Sequence, residues 1–158
     1  MDKRAAVAQM IYGKLHKITK DIYYSKDDEK NPYKYTLVNI ETGGSMECYW
    51  LDIIKKNNYA IIIYNKDYML YHNIVKIDTN KSVICFKTNY RYMLTDVYNL
   101  NNGIIVWMHN TRDYNTAIII RNDNSEIIES VEKIYENEHG YTIIQYKNDK
   151  FESFNVDK

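Results

Sequence analysis

The chain repeats itself, and this limits the fold more than any single motif does. Displaced by 57 residues, 34–80 matches 91–137 at 12 of 47 positions, where about four coincidences would be expected by chance. The matches include Tyr35/Tyr92, Leu37/Leu94, Trp50/Trp107, Asn58/Asn115 and Ala60/Ala117. Ile61-Ile62-Ile63 matches Ile118-Ile119-Ile120, and Asn65, Lys76, Ile77 and Asn80 match Asn122, Lys133, Ile134 and Asn137. A three-residue insertion near His139 then aligns 83–87 with 143–147. At Phe151 the unit begins a third time, with Asn155-Val156 in the place of Asn39-Ile40 and Asp96-Val97.

Within each copy the pattern is that of short strands. Apolar runs fall at 35–40, 46–54, 59–64, 69–77 and 82–87, then at 92–98, 103–108, 116–121, 126–134, 141–146 and 151–156. Asn, Asp, Gly or Lys clusters separate them, as expected for an all-β domain. Composition agrees. The chain has 22 Ile and 17 Tyr, which suit a pleated half-buried surface, and 18 Asn, which tolerate positive φ in turns. The expected fold is mostly β: an N-terminal helix followed by a duplicated unit of about five strands. Each unit has the size of a small SH3-like, Tudor-like or Sm-like barrel. Two tandem barrels, or one larger barrel or sandwich of two related halves, would both satisfy the repeat. The boundaries are 1–32 for the helix and a charged loop, 33–90 and 91–150 for the repeats, and 151–158 for a closing strand that protects an edge.

Ahead of the repeat, residues 2–20 read as a helix capped by Asp2. Val7, Met10, Ile11, Leu15 and Ile18 recur at spacings of three and four and form one apolar stripe, expected to dock on the chain's own β domain. The run 25–32, ending at the only proline, Pro32, reads as a linker.

Several function classes are disfavoured. Lys plus Arg equals Asp plus Glu at 21, so a strongly basic nucleic-acid binder is not expected. The chain lacks a twenty-residue apolar run and an apolar leader segment, so no membrane partner and a cytoplasmic location are expected. Cys48 and Cys85 read as two buried free thiols. His16, His72, His109 and His139 have no metal-ligand spacing, and Gly43-Gly44 reads as a hairpin turn rather than a phosphate loop. No catalytic residues, metal or cofactor are assigned, and the chain is not expected to be an enzyme.

Binding remains. Trp50 and Trp107 occupy equivalent places and serve either as core or as an aromatic surface. Lys55 and Arg112 are equivalent cations, as are Lys76 and Lys133. Charge is uneven: residues 122–158 carry nine acids and four bases, while 1–121 carry the compensating excess of base. The run Glu126, Glu129, Glu132, Glu136 and Glu138 has partly helical spacing, but the repeat favours a strand there. Residues shared by both copies serve packing and chain reversal, so function is expected where the copies differ, at Glu129, Glu132 and Glu136. Abundant Ile, Asn, Lys and Tyr reflect AT-rich codons, as in a phage or an AT-rich bacterium. The leading expectation is a non-enzymatic protein that binds a macromolecular protein partner, for example an inhibitor sequestering a host factor. A nucleotide- or RNA-binding module using Trp50, Trp107, Lys55 and Arg112 is the alternative, and a small nuclease-like enzyme a further one.

Overall fold

A computed structural model describes residues 2–26, 31–88, 92–110, 115–122 and 124–155. Among the described residues one helix, α1 (Lys3–Tyr12), precedes thirteen strands. They are β1 (His16–Lys17), β2 (Ile22–Lys26), β3 (Lys34–Asn39), β4 (Ser45–Lys56), β5 (Tyr59–Lys66), β6 (Met69–Lys76) and β7 (Ser82–Thr88), followed by β8 (Tyr92–Leu100), β9 (Gly103–Asn110), β10 (Asn115–Arg121), β11 (Asn124–Glu136), β12 (Tyr141–Tyr146) and β13 (Phe151–Asn155). All eleven expected strands are present, with ends within two residues of the apolar runs. Both sheets are antiparallel meanders. One has the order β1-β2-β3-β4-β5-β6-β7; the other, a half-barrel, has the order β13-β12-β11-β10-β9-β8. No helix among the described residues is long and apolar enough to cross a membrane.

The chain divides into two compact units: Met1–Lys55 with Ala60–Lys87, and Lys56–Tyr59 with Thr88–Lys158. The duplication is visible in their cores. Ala60, Ile62 and Cys48 lie in the first core, and their counterparts Ala117, Ile119 and Ile105 lie in the second. Ile77 packs against the first core and its counterpart Ile134 belongs to the second. Phe154, on the strand that restarts the repeat, completes the second core, and β13 pairs with β12. The opposite-facing residues of β5 and β10 are buried too: Ile61, Ile118 and Ile120 have no exposed surface. Strands buried on both faces read as continuous apolar runs, which explains the two Ile triplets.

Tight turns use residues that accept left-handed backbone. Asn57 and Asn58 have φ of 48° and 66°, and Asp67 and Tyr68 have 51° and 64°. Two consecutive positive φ values match the twist of the flanking strands. The acidic segment is strand, as the repeat indicates, and not helix.

The N-terminal region departs from expectation. The helix stops at Tyr12 because Gly13 takes φ 84°, and its N–H closes on the Gln9 carbonyl at 2.9 Å. Leu15 and Ile18 therefore lie beyond the helix, and the chain adds two strands, β1 and β2, to the sheet. Ser25 and Lys26 belong to β2, while the middle of the expected linker, 27–30, lies outside the described residues. Leu15 and Ile18 do pack on the β strands as expected, but within the helix the docked face is the reverse of the expected one. Ala5 and Ala8 are buried against Val38 and Ile40, with Tyr12, Leu15 and Tyr23 around them. Small alanines let the helix backbone approach the sheet.

A polar clasp sets the rotation of the helix. Asp21 is 4% exposed. Its carboxylate accepts from Arg4 at 3.2 Å and from Asn80 Nδ2 at 2.8 Å. Asn80 Oδ1 accepts from the Asp21 N–H at 3.2 Å and from the Thr19 hydroxyl, which itself accepts from the Ile22 N–H. Arg4 also holds Asp2, the helix cap, at 3.0 Å, and keeps that carboxyl below its usual range. With Arg4 fixed toward Asp21, Ala5 and Ala8 face the sheet.

Asp21→Ala should destabilise the chain by about 2 kcal/mol in denaturant unfolding, because half-buried Asn80 loses its acceptor and the helix its tie to the β1–β2 turn, while half-exposed Arg4 can rehydrate. A change below about 0.5 kcal/mol would show that the clasp is incidental.

His72 offers a second check. It is 1% exposed, and its Nδ1 has no hydrogen-bond partner among the described residues. Burial pushes its pKa down from 6.5 to about 4. Unfolded His72 gains a proton below pH 6.5, whereas the folded residue stays neutral to about pH 4. Its stabilising contribution is thus complete above pH 6.5 and is lost as pH falls toward 4, by about 3 kcal/mol in full. Unfolding free energies measured from pH 7 to 4 should show this loss in the native chain and a flatter profile in His72→Leu.

Candidate functional surfaces

With Ala5 and Ala8 turned inward, α1 presents Val7, Met10 and Ile11 to solvent. They are 58%, 86% and 68% exposed. Spacings of three and four put them on one side of the helix. Beside them runs a largely apolar groove of about 390 Å³, walled by Val7, Ile11 and Tyr12 on one side and by Val38 and Ile40 on the other. Lys3 stands at its rim. Lys3, Lys14, Lys17 and Lys20 are exposed and make no ion pair among the described residues. Exposed apolar side chains gathered on one element mark an interaction surface more often than isolated ones do.

A second surface lies on β4. Before Trp50 the inward residues are Met46 and Cys48; after it they are Leu51 and Ile53. The phase of the strand reverses at Trp50, whose φ is 56°. A bulge of this kind places Tyr49 and Trp50 outward in succession, 41% and 57% exposed. Trp50 stacks on Tyr33, itself 48% exposed, with ring centroids 4.0 Å apart and planes 22° from parallel. Left-handed backbone is uncommon for a bulky residue and costs free energy. Trp107 keeps the regular phase, is half-buried and packs against the second core. The two equivalent tryptophans therefore do different things, and Leu51 fills the inward place that the bulge takes from Trp50.

The other residues singled out from sequence are dispersed. Glu129, Glu132 and Glu136 are exposed along β11, and Lys55 is exposed near the end of β4. Arg112 lies outside the described residues. Lys133 sits over the Tyr135 ring at 5.1 Å, and Lys76 is half-buried. Cys48 is buried as expected, and burial pushes its thiol up to about 11. Cys85 is exposed, contrary to expectation, because it lies on the last strand of its sheet; partial burial still raises its pKa. Burial thus disfavours the thiolate form of both. Among the described residues no three His, Cys, Asp or Glu converge as metal ligands would. His16 stacks on Tyr24 at 4.9 Å, and His109 Nδ1 meets Asn115 Oδ1 at 2.5 Å.

The helix face had one signal in the sequence, the Val7–Met10–Ile11 spacing, but amphipathicity alone does not say which side is covered. Nothing in the sequence announces the bulge.

Alanine substitution should separate the two tryptophans. Trp107→Ala should cost about 2–3 kcal/mol, toward the lower end for a large aromatic because the ring is only partly buried. Trp50→Ala should cost less than about 1 kcal/mol, since it removes an exposed ring and its stack on Tyr33. Equal losses in chemical denaturation would contradict this division.

No family model, curated protein or solved structure matches the chain.

Proposed function

We propose that the chain is a non-enzymatic binding protein that engages a protein partner through the exposed face of α1. The observation that carries this reading is the placement of Val7, Met10 and Ile11 in solvent beside the α1–β3 groove. A helix whose purpose was only to cover the sheet would turn its large apolar side chains inward. This one buries two alanines, and its clasp maintains that orientation. Among the described residues the second unit has no helix, which supports placing function where the duplicated halves differ. In an AT-rich phage or mobile element, sequestering a host factor is the corresponding biological role.

A second reading is supported by the Tyr33–Trp50 pair. An outward stacked pair can accept a nucleobase on its free ring face, and such stacking contributes about 1–3 kcal/mol per base. Binding of a nucleotide or RNA there would weaken in Trp50→Ala and would fall with added salt.

The two readings separate in one comparison. Immobilised native chain should retain a stoichiometric protein from extract of the cell in which it acts. Combined Val7→Gln, Met10→Gln and Ile11→Gln should abolish retention while leaving the melting temperature nearly unchanged, because glutamine is a good helix former and the sites are exposed. Retention unchanged by these substitutions but lost in Trp50→Ala would move the site to β4.

A further inference from the structure

The groove beside α1 carries information about what fills it. Residues 2–21 contain five cations and two carboxylates, a net of +3. Both carboxylates, Asp2 and Asp21, are engaged by Arg4. Lys3, Lys14, Lys17 and Lys20 are left without ion-pair partners among the described residues. Lys3 lies four residues before Val7 and so continues the exposed stripe at its start. Lys14 comes three residues after Ile11, just past the Gly13 break, and Lys17 follows on β1. Lys3 thus lines the groove at the start of the apolar face, Lys14 and Lys17 follow the last helical turn along the chain, and Glu41 is, among the described residues, the one further carboxylate close enough to act on Arg4.

Size and shape narrow the occupant. A ten-residue helix is about 15 Å long, which matches a partner segment of two to three turns and falls short of a standard globular interface of about 800 Å² per side. The wall of Val38 and Ile40 makes the surface concave, and a concave wall takes inserted side chains, as in helix-in-groove recognition. A flat lipid surface would satisfy the lysines but leave the groove unfilled. A second copy meeting this face through its own α1 would bring lysines against lysines.

We infer that the partner's docking element is an acidic amphipathic helix. Its apolar side chains enter the α1–β3 groove, and its carboxylates face Lys3 at one end and Lys14 and Lys17 at the other. This rests on the binding reading proposed above.

The test uses the full chain and a fluorescent synthetic 14-residue peptide with Leu at positions i, i+3, i+4 and i+7 and Glu on the flanking positions. A control peptide carries Lys in place of Glu. The acidic peptide should bind roughly tenfold tighter than the basic one at low salt. Combined Lys3→Glu, Lys14→Glu and Lys17→Glu should reverse that preference, and Val7→Gln with Ile11→Gln should weaken both peptides. Equal binding of the two peptides, or preference for the basic one, overturns the inference. Stronger binding to phosphatidylserine vesicles than to the acidic peptide also overturns it, in favour of a membrane. So does a concentration-dependent dimer in light scattering that Ile11→Gln dissolves, in favour of a second copy. The parent reading fails separately. If a captured partner depends on Val7, Met10 and Ile11 but tolerates the lysine reversals, only the acidic-helix inference is lost; if it tolerates the apolar substitutions, the α1 reading itself is lost.

Discussion

A nearly solvent-free carboxylate organises the first unit. Asp21 lies in the turn between β1 and β2, and its two oxygens hold Arg4 from the helix and Asn80 from the β6–β7 turn. Three segments far apart in sequence meet on one side chain. Removing such a charge from water is unfavourable unless its lone pairs are met, and here both oxygens have donors. The arrangement is therefore selective: it is satisfied only when α1 sits in one rotation on β3. That rotation buries Ala5 and Ala8 and leaves Val7, Met10 and Ile11 outside. The exposed apolar face follows from an electrostatic constraint elsewhere.

The duplicated sheets are under a different constraint. Where both faces of a strand are buried, a one-residue slip brings no polar residue inward, so alternation cannot fix register. Turns must do so. The Asn57-Asn58 and Asp67-Tyr68 turns, each with two left-handed residues, provide this in β4–β5 and β5–β6. Asn80 and Asn137, equivalent in the repeat, show how one turn residue acquires different duties. Asn137 Oδ1 accepts from the N–H groups of His139 and Tyr141, both local. Asn80 instead joins the clasp on Asp21.

These differences explain what the sequence revealed. The strands were legible because Ile and Tyr runs between Asn-rich turns are a local signal, and because a repeat lets each copy support the other. The strand assignment of 124–136 came from its likeness to β6, against the helical spacing of its glutamates. By contrast β1 is two residues long, and β2 lies between lysines and a charged loop, so neither has a run to detect. The expected helix is too long because a single glycine at 13 stops it, and its stripe divides: Leu15 and Ile18 pack on the chain's own strands, while Val7, Met10 and Ile11 face solvent. Periodicity reports that a helix has two faces. Which face is covered depended on Asp21 and Asn80, the latter 59 residues distant along the chain.

Trp50 carries the same lesson further. By the repeat its ring should occupy the inward place of Trp107. A left-handed residue within β4 shifts the phase, puts Leu51 inside and stacks Trp50 on Tyr33 in solvent. The second unit keeps the regular strand with the same residue type, so packing two copies of this unit does not require the bulge. Nor does covering a sheet require a helix with its larger apolar residues turned outward. Both departures fall in the first unit, and each exposes apolar surface where the duplicated plan would bury it or omit it. A duplication supplies a working reference for what the fold alone demands, and by that reference neither the left-handed Trp50 nor the outward Val7, Met10 and Ile11 is required by packing.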